Sequence, residues 1–322
     1  MRAIRIHQTG GPEVMKLEDV ELGAPGEGQA QVRHHAIGVN FLDVYFRSGL
    51  YPSQTPFTPG SEGAGEVIAV GPGVTNFKVG DRVAYVTTPG SYAESRNVEV
   101  KHLVSLPVSV AYDQAAAMML KGLTAQYLLR QTYRVQKGDT VLVHAAAGGV
   151  GQILCQWGRH LGATIIGTVG SDAKVEIAKA CGAHHVINYS KEDFAARVAE
   201  ITKGAKCAAV YDGVGKATFP ASLDCLRPFG VFASYGSASG PVEAFNLSIL
   251  GGKGSLFATR PTLFTFLADR ARLETMASEL FEVVGSGVVK ISISERAPLA
   301  EAARIHRELE GRRTTASMVL IP

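Results

Sequence analysis

The string HAAAGGVG at 144–151 follows directly on the apolar run TVLV. Glycines so spaced, after a strand and before a helix, let backbone approach a pyrophosphate. The helix tip then offers unpaired N–H groups and partial positive charge to the phosphates. Set against Gly-x-Gly-x-x-Gly, residues 146–151 keep the second and third glycines as Gly148 and Gly151; Ala146 stands at the first. That first glycine eases a tight turn, so alanine is acceptable while its φ stays negative. The alternative is a strand–helix turn that needs glycine for packing alone.

The next strand decides which dinucleotide fits. An NAD site places an acid about 20 residues on, at the end of the second strand. Here the strand TIIGTVG ends in Gly170 and Ser171, small and neutral. A 2′-phosphate is not repelled there, and Lys174 lies one helical turn on, able to pair with it. Asp172 is the complication; its ordinary role is in the first turn of a helix, where a carboxylate suits the macrodipole. Tyr189, after the third strand, reads either as a wall of this pocket or as a half-buried strand-end aromatic. The cofactor expected is NADPH.

A second group of residues could touch a reducible substrate. Tyr45 and Tyr51 are neutral hydrogen-bond donors at pH 7, with ordinary pKa near ~10, or else aromatic walls. Asn40 and Asp43 can instead fix their own loop. Thr124, in KGLTAQ, reads as a ligand contact or as a cap at a helix start. His34 and His35 are adjacent on a strand and point to opposite faces, one buried and one solvated. His144 reads as a strand-end core residue.

The elements that must position these groups change character along the chain. The first ~120 residues are punctuated by glycine and proline, with short alternating runs such as QAQVRHHAIGVN and GAGEVIAVG. These read as strands joined by tight turns. Helical periodicity is poor until SVAYDQAAAMMLKGLTAQYLLRQTY, where Asp113 could cap a helix. From Asp139 strands and helices alternate: TVLVHAA, GGVGQILCQWGRHLG, TIIGTVG, SDAKVEIAKACGA, HHVINY, KEDFAARVAEITKG, CAAVYDGVG, TFPASLDCLRPFG and VFASYGS. Such alternation predicts a parallel sheet wound on both faces. The tail reads as helix, then strand–helix–strand, and is grouped with the β-rich first part.

The chain has 322 residues, 46% apolar and 19% charged, with a formal charge of +3. That balance gives no electrostatic case for nucleic acid or a membrane surface. No run approaches the ~20 apolar residues of a membrane span, and the N-terminus lacks the apolar core of a signal peptide. The cysteines, Cys155, Cys181, Cys207 and Cys225, lie well apart. Most of them read as buried apolar side chains of a cytoplasmic protein.

Taken together, GVNFLDVYFRSGLYP, PGSEGAGEV, VGDRVAY, MLKGLTAQYLL, HAAAGGVG, YDGVG, RPFG and LEGRRTTASMVLIP resemble the zinc-free NADPH:quinone oxidoreductases, zeta-crystallin-like members of the medium-chain dehydrogenase/reductase superfamily. The resemblance covers essentially the whole chain. It implies an α/β protein: a GroES-like β-rich catalytic domain at 1–122 and 261–322, and a Rossmann doubly wound parallel-sheet cofactor domain at 123–260, with the site in the cleft. It implies Asn40, Tyr45 and Thr124 on the nicotinamide and substrate side. Gly148, Gly149 and Val150 would meet the pyrophosphate. Ser171, Lys174, Tyr189 and Arg312 would surround the 2′-phosphate, and Tyr235, Gly236 and Ser237 would stand at the nicotinamide ribose. Arg313 has no role in that pattern.

Zinc members of the superfamily use a Cys near Asn40 and a Gly-His-Glu triplet where this chain has Gly60, Ser61 and Glu62. No cysteine precedes Cys155, and catalytic zinc needs three protein ligands. A metal-free site must stabilise developing charge by hydrogen bonds alone. A quinone spreads that charge over a conjugated dicarbonyl, so the expected reaction is NADPH-dependent quinone reduction. The alternatives are an NADPH-dependent enone or enoyl reductase and a non-catalytic, crystallin-like NADPH-binding protein. A homodimer is implied, through the strand-like stretch PVEAFNLSILGGKGSLFA at a sheet edge.

Overall fold

The computed structural model describes residues 1–322 except Ala244, Arg312 and Arg313. The chain forms two compact units. The first comprises Met1–Leu123, Leu267–Gly285 and Ile291–Pro322; the second comprises Thr124–Phe266 and Ser286–Lys290.

In the first unit, β1 (Arg2–Ile6) and β2 (Met15–Asp19) form an antiparallel pair. The main sheet is organised by β3 (Gln29–Gly38), whose side chains alternate between solvent and core until the strand is fully buried at its end. β3 pairs antiparallel with β4 (Glu62–Val70), and β5 (Arg82–Val86) continues on β4. Across this sheet Val32, Val67, Phe77, Val83, Tyr85 and Leu103 pack into one apolar cluster. The tail returns as a strand at Ile293–Pro298, a helix at Ala302–Glu310 and a strand at Ser317–Ile321. That last strand pairs with β3 at Ile37 and Gly38.

Two helices differ from expectation. FLDVYFRS, which lacks clear helical periodicity, forms α1 (Phe41–Ser48). Its start is fixed by Asn40, whose N–H donates to Asp43 Oδ2 at 2.9 Å. Its end is Gly49, at φ +85°, a conformation that favours glycine. The second helix, α2 (Tyr112–Tyr127), already contains Asp113, so that residue sits in the first turn and does not cap it. Thr124 lies three residues from the end of α2 and not at a helix start.

The second unit is a six-stranded parallel sheet. In spatial order its strands are His185–Asn188, Thr164–Val169, Thr140–Val143, Cys207–Asp212, Leu226–Ser234 and Phe257–Thr259. In chain order this reads 3-2-1-4-5-6, the doubly wound dinucleotide-binding arrangement. The segment TFPASLDCLRPFG is helical only at Ala221–Asp224, and its end already belongs to the fifth strand. PVEAFNLSILGGKGSLFA is not one strand: it contains a short helix at Ser248–Gly252, and only its last residues join the edge strand Phe257–Thr259. His144 is fully buried between the hydroxyls of Thr168 (2.8 Å) and Ser222 (2.9 Å), a core residue. Cys155, Cys207 and Cys225 are buried and all four thiols are free.

Candidate functional site

The glycine turn is built from backbone. α3 (Gly149–His160) starts after Gly148, an extended residue at φ −81°. A Cβ on Gly151 would meet the Ala145 carbonyl oxygen at 2.3 Å and Ala146 Cα at 2.8 Å. Only glycine lets the helix sit this close to the turn. Ala146 keeps a negative φ, and the left-handed residue is Ala145, at φ 53°. The first N–H groups of α3, beginning at Gly149, have no carbonyl within the helix to bond. They are the donors a pyrophosphate would take.

At the end of the second strand a Cβ on Gly170 would meet Tyr189 Oη at 2.6 Å. The tyrosine ring therefore lies across Gly170, with the residue 38% exposed. Ser171 is extended, and its hydroxyl caps no backbone N–H. The turn runs on through Asp172–Lys174, and the Lys174 N–H donates to Ser171 O at 3.1 Å. Asp172 lies in this first turn, as its type suggests. Its carboxylate accepts from Lys191 Nζ at 2.5 Å and from Asn188 Nδ2 at 2.8 Å, and these bonds, Lys191's above all, hold its pKa below the usual carboxylate range. The acid is thus tied to two partners of its own. Arg312 and Arg313 lie outside the described residues.

The strand-end loop with Tyr235, Gly236 and Ser237 packs backbone to backbone on the YDGVG loop. A Cβ on Gly236 would meet Gly213 O at 2.6 Å, and one on Gly215 would meet Gly240 O at 2.5 Å. Asp212, fully buried, organises this pair. Its Oδ1 accepts from the N–H groups of Val214 and Gly215, and its Oδ2 from Thr218 Oγ1 at 2.7 Å. Burial, with Asp212 near, raises the Tyr235 phenol far above its ordinary value.

In the first unit the structure brings Tyr45 and Tyr51 together, and turns Asn40 at the start of α1 toward Glu62 and Lys121. The Tyr45 and Tyr51 rings stand 5.3 Å apart, tilted, and Tyr51 N–H donates to Tyr45 O at 3.0 Å. Asn40 is 4% exposed. Its Nδ2 donates to Glu62 Oε1 at 2.7 Å, and its Oδ1 accepts from Lys121 Nζ at 2.7 Å. Thr124 hydrogen-bonds the Tyr127 phenol within α2, so its hydroxyl has a partner close by in sequence. His34 is buried and His35 exposed. His34 Nδ1 donates to Ala93 O at 2.7 Å, and its Nε2 accepts from the Tyr85 hydroxyl at 2.6 Å. Burial lowers its pKa to about 4, so the ring is neutral.

The other face of α1 is held by a buried polar chain. Arg47, 1% exposed, makes a two-pronged pair with Glu310 at 2.9 and 2.7 Å. Arg47 only donates, so His306 Nδ1 accepts from it and His306 Nε2–H donates to Tyr92 Oη. Tyr92 in turn donates to Asp43 Oδ2 at 3.1 Å, and Ser61 Oγ donates to Asp43 Oδ1 at 3.0 Å. Burial raises the Asp43 pKa to about 7 against these donors, and burial lowers that of His306 to about 3.

Lys121 escaped the sequence reading. Its signal is a lone charge among apolar residues in AAAMMLKGLTAQYLL, where an unpaired lysine would not be buried. The α1 helix also had a signal, the Asn40–Asp43 spacing followed by Gly49.

A parallel sheet of this order, in one chain with a β-rich unit completed by the chain's own tail, defines the class of medium-chain dehydrogenases and reductases. Two family profiles match: an alcohol dehydrogenase GroES-like domain over residues 26–131 and a zinc-binding dehydrogenase over 149–281. The chain is 53% identical to a quinone oxidoreductase of Pseudomonas aeruginosa, over 100% of this chain and 99% of the relative. It is 47% identical to a 2-haloacrylate reductase of a Burkholderia species, over 98% of each. The solved structure of Escherichia coli quinone oxidoreductase complexed with NADPH superposes with a TM-score of 0.98 at 45% identity, covering 100% of both chains. The chain belongs to the quinone oxidoreductase family of the medium-chain dehydrogenases/reductases.

The zinc in one profile's name does not fit the donors present. Glu62 Oε1 accepts from Asn40 and Lys121, and Oε2 from the Leu120 N–H at 2.6 Å. The Ser61 hydroxyl is given to Asp43. Among the described residues no group of three or more His, Cys, Asp and Glu side chains is placed to hold a metal ion.

Proposed function

We propose that this protein reduces quinones with NADPH. The observation that carries the reading is the full-length match to an NADPH-complexed quinone oxidoreductase, at a TM-score of 0.98. Gly148, Gly149 and Val150 would hold the pyrophosphate at the tip of α3; Ser171, Lys174 and Tyr189 would hold the 2′-phosphate; Tyr235 and Ser237 would hold the nicotinamide ribose. Bound there, the reduced nicotinamide supplies the reducing equivalents. The chain's own residues position and polarise. Asn40, Tyr45 and Tyr51 offer neutral N–H and O–H donors to an acceptor oxygen, and Thr124 contributes a hydroxyl. Neutral donors are enough for a conjugated dicarbonyl, which disperses added charge itself.

The test compares NADPH and NADH oxidation with 1,4-naphthoquinone, a linear enone and 2-chloroacrylate. Quinone turnover with NADPH preferred is the expected result. A preference for an alkene by orders of magnitude would replace this reading with the second one, alkene reduction, which the 2-haloacrylate reductase relative favours.

The same reading includes a homodimer and a cytoplasmic location. Phe257–Thr259 is an edge strand with every residue exposed, and Phe257 is 60% exposed. An open apolar edge invites pairing with a second copy. Sedimentation should give twice 34.1 kDa, and Phe257→Glu should give the monomer. A wild-type monomer at assay concentration would remove the dimer. The four free thiols, three of them buried, suit a reducing compartment, and no helix among the described residues is long and apolar enough to cross a membrane.

A further inference from the structure

Lys121 is a buried ammonium with a complete set of acceptors. It is 8% exposed and donates to Asn40 Oδ1 at 2.7 Å, Val39 O at 3.2 Å and Glu62 Oε1 at 3.3 Å. Three donors meet three acceptors, so nothing of the ammonium is left over. Glu62 is fully buried and accepts from three donors, Asn40 Nδ2, Lys121 Nζ and the Leu120 N–H. Burying an ion pair is seldom a gain in stability over apolar residues of the same volume. The arrangement therefore calls for a reason other than fold stability.

The reason lies in the amide between the two charges. A carboxamide left to itself can turn its oxygen and nitrogen end for end at little cost. Asn40 cannot. An ammonium accepts nothing, so it must face Oδ1; a carboxylate donates nothing, so it must face Nδ2. A flipped amide would set Nδ2 against Lys121 and Oδ1 against Glu62, two repulsions in a water-poor site. One Nδ2 hydrogen is used on Glu62, and the second stays in a fixed direction.

We propose that Lys121 and Glu62 are positioning residues that lock the Asn40 carboxamide, so that its second Nδ2–H is the preorganised donor to the acceptor carbonyl. The idea rests on the functional reading above. Lys121, 8% exposed with its three donors engaged, acts through Asn40. The lock makes the donor ready before charge develops on the oxygen, which is when a fixed dipole counts most.

The test uses the full-length chain with Asn40→Ala, Lys121→Met, Lys121→Met/Asn40→Ala and the charge-free pair Lys121→Met/Glu62→Gln. Steady-state kinetics with NADPH and 1,4-naphthoquinone are run beside NADPH affinity and melting temperature. Asn40→Ala should lower kcat about a hundredfold, the scale for one lost donor to a developing oxyanion. Lys121→Met should lower kcat about tenfold, a part of that loss, and leave NADPH affinity within about twofold. In the Asn40→Ala background the lysine change should cost nothing further, because the group it positions is gone. Equal losses in both backgrounds, or a wild-type kcat for Lys121→Met, would overturn the proposal. The charge-free pair serves where Lys121→Met fails to fold: it leaves no unpaired buried carboxylate, and it should keep the low kcat.

A crystal structure of the charge-free pair supplies a readout apart from turnover. The Asn40 side chain should leave its place between residues 62 and 121 or split between rotamers; a single, unmoved rotamer sinks the positioning role. Should the wild type oxidise no NADPH with any quinone, the functional reading falls, while this crystallographic arm still decides for or against the lock.

Discussion

The tip of α3 and the surroundings of Asn40 are built on opposite plans. The first is made of backbone and of missing side chains: Gly148 and Gly151 clear a space, and unpaired N–H groups line it. The second is made of side chains that hold one another, where Asn40, Glu62 and Lys121 exchange bonds of 2.7 to 3.3 Å and leave one Nδ2 hydrogen of Asn40 over. A site made of absences fails when something is added. A site made of mutual restraint fails when something is taken away.

The comparison breaks most visibly at Gly151. Gly151→Ala puts a methyl 2.3 Å from the Ala145 carbonyl. The clash is with backbone and cannot be relieved by a rotamer, so the cost should be about 3 kcal/mol, with NADPH binding lost alongside. Calorimetry and cofactor titration read both; a stable, cofactor-binding variant would show that the turn has slack.

Next comes Lys174, the charge proposed to favour NADPH over NADH. Lys174→Ala should weaken NADPH about a hundredfold, the scale of one charge-assisted phosphate contact, and leave NADH nearly unchanged. Equal losses for the two cofactors, measured by fluorescence titration, would take Lys174 out of the 2′-phosphate pocket.

A smaller effect appears in acid. His34 and His306 stay neutral when folded down to about 4 and about 3, against an ordinary 6.5. Between pH 6.5 and 4 the unfolded chain binds these protons and the folded one does not, so stability falls as pH falls. Asp43 acts in the other direction. Folded, it holds its proton up to about 7; unfolded, it releases it above 3.8, so between those values it favours the fold more as pH drops. Arg47 faces His306 and Glu62 acts on Asp43, but burial is the largest cause for each of the three groups. Asp43→Asn should therefore steepen the acid loss by up to about 1.4 kcal/mol per pH unit. Urea midpoints at pH 7, 6 and 5 measure the slope; a parallel shift without steepening would mean that Asp43 is ionised throughout.

Least of all should follow from Asp172→Ala. Its side chain is 68% exposed and its pairing with Lys191 is open to solvent. The melting temperature should stay within scatter and the NADPH preference should persist. A swing toward NADH or a marked loss of stability would give Asp172 a part in the nucleotide site.

The same contrast decides how much the sequence reveals. The glycine turn and the alternation after Asp139 are local patterns, so spacing alone exposes them, and the six-stranded parallel sheet follows. The neutral end of the second strand is also local, and Asp172 behaves as its place in a first turn suggests. The Asn40 cluster draws on residues 40, 62 and 121, which no periodicity connects. Only the improbable lysine in an apolar helix hints at it. α1 was hidden because its eight residues carry too few turns to show a period, and its boundaries rest on a side-chain bond and one left-handed glycine. The stretch 241–258 misled because apolar content does not distinguish a strand from a loop with one short helical turn.

The strand Ser317–Ile321 has a consequence for how the chain is made. It pairs with β3, near the front of the sequence, and Glu310 just before it is the counter-ion of buried Arg47. A nascent polypeptide leaving the ribosome holds β3 and Arg47 long before their partners exist. The six parallel strands, contiguous in sequence, can assemble while translation continues. The β-rich unit has to wait, with one flank unzipped, until Ser317–Ile321 has emerged.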